Sequence, residues 1–371
     1  MKLTPSFSSY LDFLRFGAAL TVLIGHMVQD GFALGWIPIA YLSHEAVVVF
    51  FVMSGYIVYA STVARQGTAA DYFIARASRI YSVALPAVVF CVGLSLAVAW
   101  IWPALAAIEP SWRPFSWADM GASLLFLNES WGSPTDLTLN GPYWSLCYEV
   151  WYYILFGIAY FGRGRWRWPL FAIAAAIAGP AIIVLFPIWL FGAWLAARPG
   201  RQLSVSPGLA LVVWIGSFLV VCAIQWSDLD QFIKSWFHNR VPGFWRLEAA
   251  QRLFTDYVIA LALGAHLAVY ASLPQTIRLF FERTRANWTF LAGFSFTLYL
   301  FHRPMTALAG ESIDPATMSV ALSLGFLALV LVVCWAISFV TERQLPAWRS
   351  VLRRLLVAVG WMPAQAGRPA R

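Results

Sequence analysis

Arg15 and His26 stand eleven positions apart in an apolar segment near the start of the chain. At about 100° per residue that spacing is three turns plus about 20°, so a helix puts both on one face, about 16.5 Å apart along its axis. A guanidinium at one end of such a face can hold phosphate, and an imidazole at the other can take a proton near neutral pH. The pair suits a ligand that is anionic at one end and reactive at the other. The plainer reading is an Arg15 that snorkels to the membrane surface and a His26 among headgroups. Arg76 and Arg79 form an i,i+3 pair that faces one side of a helix, where two guanidinium forks can grip phosphate bidentately. They could equally be the ordinary basic residues that orient a membrane protein. Glu149 lies about two turns into a segment otherwise free of charge, and a buried carboxylate is protonated or paired. His26 or an arginine is its expected partner, either for chemistry or as a purely structural ion pair. Asp12 on the first helix, Ser54 beside Gly55, Trp144 and His302 are supporting candidates. Ser54-Gly55 reads first as close packing of small residues, and His302, beside Arg303 and Pro304, as an interfacial residue. His44, His238 and His266 have no helical partner ligand, so no metal site is expected. Cys91, Cys147, Cys222 and Cys334 each stand alone in apolar runs, with no CxxC and so no disulfide framework.

The elements that must position these residues are membrane helices. Of 371 residues, 61% are apolar and only 11% charged, and mean hydropathy is +0.70, which excludes a water-soluble enzyme and a disordered chain alike. Seventeen per cent are aromatic, enough for belts at both membrane interfaces. The net charge of +8 is therefore an orientation signal, and no nucleic acid is expected as partner. The first apolar run lacks a small-residue cleavage site and holds Arg15 in its middle, so it reads as a retained helix. Spans are expected at 9–28, 43–63, 80–102, 142–161, 168–185, 187–197, 207–226, 253–272, 288–305 and 316–340. The fifth and sixth share a stretch broken by Gly179-Pro180 and Pro187, which allows two short helices or a re-entrant pair; basic clusters on either side require an even number of crossings. With the N-terminus inside, 19 of the 25 Lys and Arg fall on the inner side and 6 on the outer. Both termini are then cytoplasmic. Two outer segments, 103–141 and 227–252, are longer than turns, the first with a short interfacial helix at 117–127.

Five motifs occur in order: Leu11-Asp12-Phe13-Leu14-Arg15 with Gly25-His26, Phe50-Phe51-Val52-Met53-Ser54-Gly55-Tyr56, Arg76-x-x-Arg79, Trp144-Ser145-Leu146-x-x-Glu149, and Tyr299-Leu300-Phe301-His302. Together, over residues 9 to about 340, they resemble the membrane-bound acyltransferase family 3, whose members O-acylate cell-envelope polysaccharides and some small molecules. The resemblance implies ten helices, an acyl-CoA donor from the cytoplasm and an acceptor hydroxyl outside. It also implies an essential His at His26, an Arg before it at Arg15, and a donor site at Arg76 and Arg79. Cys147-Tyr148 departs from the small or polar residue and aliphatic residue that relatives carry before the Glu, which weakens inference about the acceptor.

The expectation is thus an all-α polytopic membrane protein of about ten transmembrane helices, one domain over 1–371, with helices over roughly 9–340 and a cytoplasmic tail at 341–371. It would move a short acyl group, acetyl foremost, from acyl-CoA to a sugar hydroxyl at the bacterial inner membrane, with no permanently bound cofactor. His26 would be the base and Glu149 would orient or charge-stabilise it, while Arg15, Arg76 and Arg79 hold donor phosphates. Direct transfer and an acyl-imidazole relay on His26 both remain open. Trp and Tyr at the outer ends could stack on sugar faces or simply form the belt. A homodimer is neither required nor excluded. The rival from another class is a transporter of a lipid-linked or polysaccharide substrate, for which broken helices would suit but an internal repeat is missing.

Overall fold

A Pro in the first turn and a side-chain cap from Thr4 start helix α1, Pro5–Gln29, which runs through Arg15 to His26 without a break. The computed structural model describes residues 4–103, 116–132, 137–198, 203–313, 317–358 and 360, and among these all regular structure is helical. Helices α2 (Ser43–Arg65) and α3 (Ala69–Ile101) follow. The short α4 (Trp117–Leu124) lies where an interfacial helix was expected, before α5 (Tyr143–Phe161). Then come α6 (Arg167–Ala178), α7 (Pro180–Ala197), α8 (Pro207–Trp226), α9 (Leu229–His238) and α10 (Leu253–Ala268). The last five are α11 (Gln275–Arg283), α12 (Arg285–Ala292), α13 (Ser295–Ser312), α14 (Val320–Ile337) and α15 (Leu345–Ala358).

Among the described residues six stretches are long and apolar enough to cross a membrane: α1, α2, α3, α7, α8 and Val320–Ala358, which takes in α14 and α15. Their outward faces remain apolar. On α8, Val212 is 68% exposed and Leu219 57%, the surface that a protein in lipid keeps uncovered. The protein is a multi-pass membrane protein. The other expected spans correspond to helices that are shorter, such as α6 and α10, or richer in polar atoms, such as α5 and α13. In α5 the polar atoms belong to tyrosines: Tyr143, Tyr148 and Tyr152 are all buried in the centre of the fold.

Several boundaries differ from those expected. α3 begins eleven residues before 80, because Thr68 and Asp71 form a reciprocal capping box that starts the helix there. Arg76 and Arg79 therefore sit inside a helix and do not open one. The break between the fifth and sixth expected spans falls at Gly179-Pro180 and not at Pro187. Gly179 has φ +88°, a left-handed conformation suited to glycine, and Pro180 opens α7. Pro187 stays inside α7; the carbonyl of Val184 in the preceding turn accepts the Tyr257 hydroxyl at 2.6 Å, the kind of side-chain partner that lets a membrane helix keep a proline. The ninth expected span is two helices, α12 and α13, separated at Gly293 and Phe294. The expected tail at 341–371 folds over its first half into α15. Residues 104–115 and 133–136 of the first outer segment, and 361–371 of the tail, lie outside the described residues.

The crossing of α2 and α7 sets the width of the interior. A Cβ on Gly55 would stand 1.9 Å from the Trp189 carbonyl oxygen, and one on Gly192 1.9 Å from the Val52 carbonyl oxygen. The two backbones touch through small residues, as membrane helices do where packing alone holds them. Gly55→Ala must push α2 away from α7 and away from the site it carries. The expected loss is about 3 kcal/mol, the upper range for overpacking, because backbone atoms cannot rotate aside. A lowered thermal midpoint of the detergent-solubilised variant checks this; an unchanged midpoint contradicts it.

Candidate active site

Three helices turn polar stripes toward one cavity of about 230 Å³. On α5 the stripe is Ser145, Glu149 and Tyr153, spaced i, i+4, i+8. The neighbouring stripe Trp144, Tyr148 and Tyr152 packs instead around Phe51 of α2, at ring-centroid distances of 6.3, 6.0 and 5.4 Å. One helical period thus splits α5 into a packing edge and a cavity edge. α2 contributes Phe50, Ser54, Ser61 and Arg65, and α3 contributes Arg76 and Arg79. Arg15 of α1, Tyr299 of α13 and Arg349 of α15 complete the wall.

The cavity has a basic end. The Arg76 guanidinium lies 5.9 Å from the Tyr72 ring and 5.7 Å from the Tyr153 ring, and Arg79 lies 5.8 Å from the Phe296 ring. Arg15 is committed to a carboxylate: its Nη2 donates to Glu342 Oε1 at 2.9 Å. The other Glu342 oxygen accepts the backbone N–H groups of Phe296 and Thr297 at 3.2 and 3.3 Å, satisfying donors that the first turn of α13 leaves open. Glu342 therefore ties α1 to the start of α13.

Glu149 belongs to this cavity. Its Oε1 accepts from Ser54 Oγ at 2.6 Å and from the Tyr153 hydroxyl in a short bond. Ser54 in turn accepts from Trp189 Nε1 at 3.1 Å. The expected contact between Glu149 and His26 is not formed, because the stripe that carries Glu149 faces α2 and α3 while His26 faces α13.

His26 pairs with His302. Its Nδ1 is 2.8 Å from His302 Nε2, with the rings nearly parallel at 18°. His302 Nδ1 is 2.9 Å from the Leu298 carbonyl oxygen. A carbonyl only accepts, so in the neutral pair His302 Nδ1 carries the hydrogen and its Nε2 is the acceptor. His26 Nδ1–H must then donate, which leaves His26 Nε2 with a bare lone pair and no partner among the described residues. Beyond the pair, Arg303 donates to Asp30 in a short ion pair that fixes α13 to the end of α1. The Tyr299 ring lies 6.2 Å from His302 and its hydroxyl 2.6 Å from Ser145 Oγ, so one side chain joins the cavity to the histidines.

On α1, Arg15 meets Glu342 and lines the cavity, while His26 meets His302 of α13 and does not line it. Arg76, Arg79, Ser54 and Glu149 share the cavity with Arg15. Asp12 is elsewhere, accepting from Thr289 Oγ1 at 2.9 Å, and Trp144 lies against His44 with ring centroids 6.3 Å apart. Sequence reasoning passed over Glu342, Arg65, Arg349 and Tyr299 as site residues. Tyr299 stood inside a quoted motif, but no local pattern marks Glu342, 327 positions from the arginine it holds. Among the described residues no cluster of three or more His, Cys, Asp or Glu could hold a metal ion. A family model described as an acyltransferase domain matches residues 8–339, most of the chain. Neither a curated protein nor a solved structure matches it.

Proposed function

The chain belongs to acyltransferase family 3, the membrane-bound acyltransferases, and from that premise we propose that it moves a short acyl group, acetyl foremost, from its coenzyme A thioester to a hydroxyl of a cell-envelope or exopolysaccharide sugar. The observation that carries this reading is one cavity that gathers Arg15, Arg76 and Arg79 with Ser145 and Tyr299, whose ring lies 6.2 Å from that of His302. A volume of about 230 Å³ is below the roughly 300–1,000 Å³ of pockets that enclose a whole drug-sized ligand. It suits a narrow pantetheine arm inside, with the nucleotide at the arginine mouth. The basic end then faces the cytoplasm of a bacterial inner membrane, in line with the 19-to-6 distribution of Lys and Arg.

Thiolate is a good leaving group, so the work lies in activating the acceptor hydroxyl. His26 Nε2 takes the hydroxyl proton as the oxygen attacks the thioester carbonyl. The tetrahedral intermediate collapses with loss of the coenzyme A thiolate, which receives that proton from the His26 imidazolium. His302 positions His26: through the Leu298 carbonyl it fixes which nitrogen of His26 is bare, and it accepts from the imidazolium Nδ1–H during the reaction. Glu149 holds Ser54 and Tyr153 on the wall and offsets part of the arginine charge.

His302→Ala should lower kcat by roughly ten- to a hundredfold with little change in donor KM, since a lost orienting bond acts on the base and not on phosphate binding. His302→Gln should recover part of the loss, because a carboxamide can accept from His26 and donate to Leu298. Equal loss in both variants would assign His302 to packing alone. The activity itself is tested by incubating the purified protein with radiolabelled acetyl-CoA and an envelope polysaccharide. Label in the sugar matched by released coenzyme A supports the reading; neither signal, with intact protein, contradicts it.

A further inference from the structure

Four arginines at the mouth of the cavity have no carboxylate at salt-bridge distance among the described residues: Arg65, Arg76, Arg79 and Arg349. Arg15 is already matched by Glu342, and Glu149 Oε1 is taken up by Ser54 and Tyr153. Nε of Arg76 and Nε of Arg349 are both buried without a hydrogen-bond partner. Such a group of like charges is costly unless an anion completes it. Only Arg76 and Arg79 belong to the paired motif; Arg65 ends α2, and Arg349 comes from α15.

α15 is held so that Arg349 points into the cavity. Its half-buried residues are Leu345, Trp348, Arg349, Leu352, Arg353, Leu356 and Val357, a helical stripe, while Ser350, Val351, Arg354 and Leu355 are exposed. One turn beyond Arg349, Arg353 Nη2 donates to Asp71 Oδ1 at 2.6 Å, and Asp71 is the partner of Thr68 in the capping box that starts α3. The basic cavity also continues past Arg65 and Arg76 into a smaller one of about 40 Å³ that reaches Thr68 and Tyr72.

We propose that Arg65 and Arg349 form a second anion subsite, built for a phosphomonoester on the donor's nucleotide, while Arg76 and Arg79 take its diphosphate. The inference rests on the acyl-CoA reading. A diphosphate diester carries about two negative charges and a phosphomonoester about 1.5 to 2 near neutral pH. Coenzyme A, with a diphosphate and a ribose 3′-phosphate, thus matches the four guanidiniums almost one for one. A donor without the 3′-phosphate leaves Arg65 and Arg349 uncompensated.

Initial rates with acetyl-CoA and acetyl-dephospho-CoA test this on the unaltered protein. The wild type should show a KM roughly ten- to a hundredfold higher for the dephospho donor, the scale of a lost charge-assisted contact. Arg349→Gln should raise the KM for acetyl-CoA toward that value while raising the KM for the dephospho donor far less, and Arg349→Lys should fall between. Equal wild-type KM values for the two donors would overturn the subsite, as would a proportional rise for both donors in Arg349→Gln. Transfer from neither donor by the wild type is a different result: it removes the acyl-CoA reading itself.

Discussion

With His26 replaced by Ala, acyl transfer is expected to fall by about 10²- to 10⁴-fold, the contribution of a positioned general base. The loss should appear in kcat at saturating donor and acceptor, because Arg76 and Arg79 line a cavity that His26 does not line, and the donor still binds there. Folding should be little affected. His26 is only partly buried and makes one side-chain hydrogen bond, to His302, while the ends of α1 and α13 stay joined by Asp30 with Arg303 and by Arg15 with Glu342. Membrane yield and the size-exclusion profile of the variant check that point. Retention of more than about a third of wild-type turnover, against the loss of at least about 10² that a base implies, would remove His26 from the chemistry. Label that stays on wild-type protein in the absence of acceptor, and is lost in the variant, would mark an acyl-imidazole relay in place of direct transfer.

The double replacement of Arg76 and Arg79 by Ala should raise the donor KM by roughly 10²- to 10³-fold and lower kcat far less. Phosphate contacts made equally in the ground and transition states act as uniform binding, so their loss shows in KM. Among the described residues neither guanidinium has a carboxylate at salt-bridge distance, and they lie near the rings of Tyr72, Tyr153 and Phe296. Lys at both positions should rescue only in part, since an ammonium lacks the planar fork. Steady-state kinetics over a wide range of acetyl-CoA decide the matter. An unchanged donor KM would make the pair ordinary topogenic charges.

The features legible in the sequence are those with a local cause. The 3.6-residue period puts Arg15 and His26 on one face of α1 and Arg76 with Arg79 on one face of α3, and the structure turns the second pair into one cavity. Spans such as 207–226 have clean ends because Ser206 caps α8 and Pro207 opens it. Periodicity states a face but not what the face meets. His26 and His302 are 276 positions apart, and Glu149, for which the sequence suggests His26 or an arginine, turns instead to Ser54 and Tyr153. The sequence offers both Gly179-Pro180 and Pro187 as breaks, and only the first interrupts the helix; Pro187 survives in α7, where Tyr257 supplies a donor nearby. Arg349 was counted among topogenic charges because the amphipathic stripe of α15 follows a polar turn after the last apolar run. Its chemistry becomes visible only when α15 is laid against α3.

Sealed, oriented vesicles give the most direct measurement of whether this membrane acyltransferase carries an acyl group from a cytoplasmic donor to an acceptor on the other side. Arg15, which lines the basic cavity, and His26 lie eleven residues apart on α1, about 16.5 Å along its axis at 1.5 Å per residue. Radiolabelled acetyl-CoA on the face of the basic end should therefore label a polysaccharide confined to the opposite face, with coenzyme A released on the donor side. Acetyl-CoA on the acceptor side alone should give no label, because its phosphates cannot cross hydrocarbon. Equal labelling from either side of tight vesicles, or polysaccharide that moves across with no label and no coenzyme A released, would contradict the account.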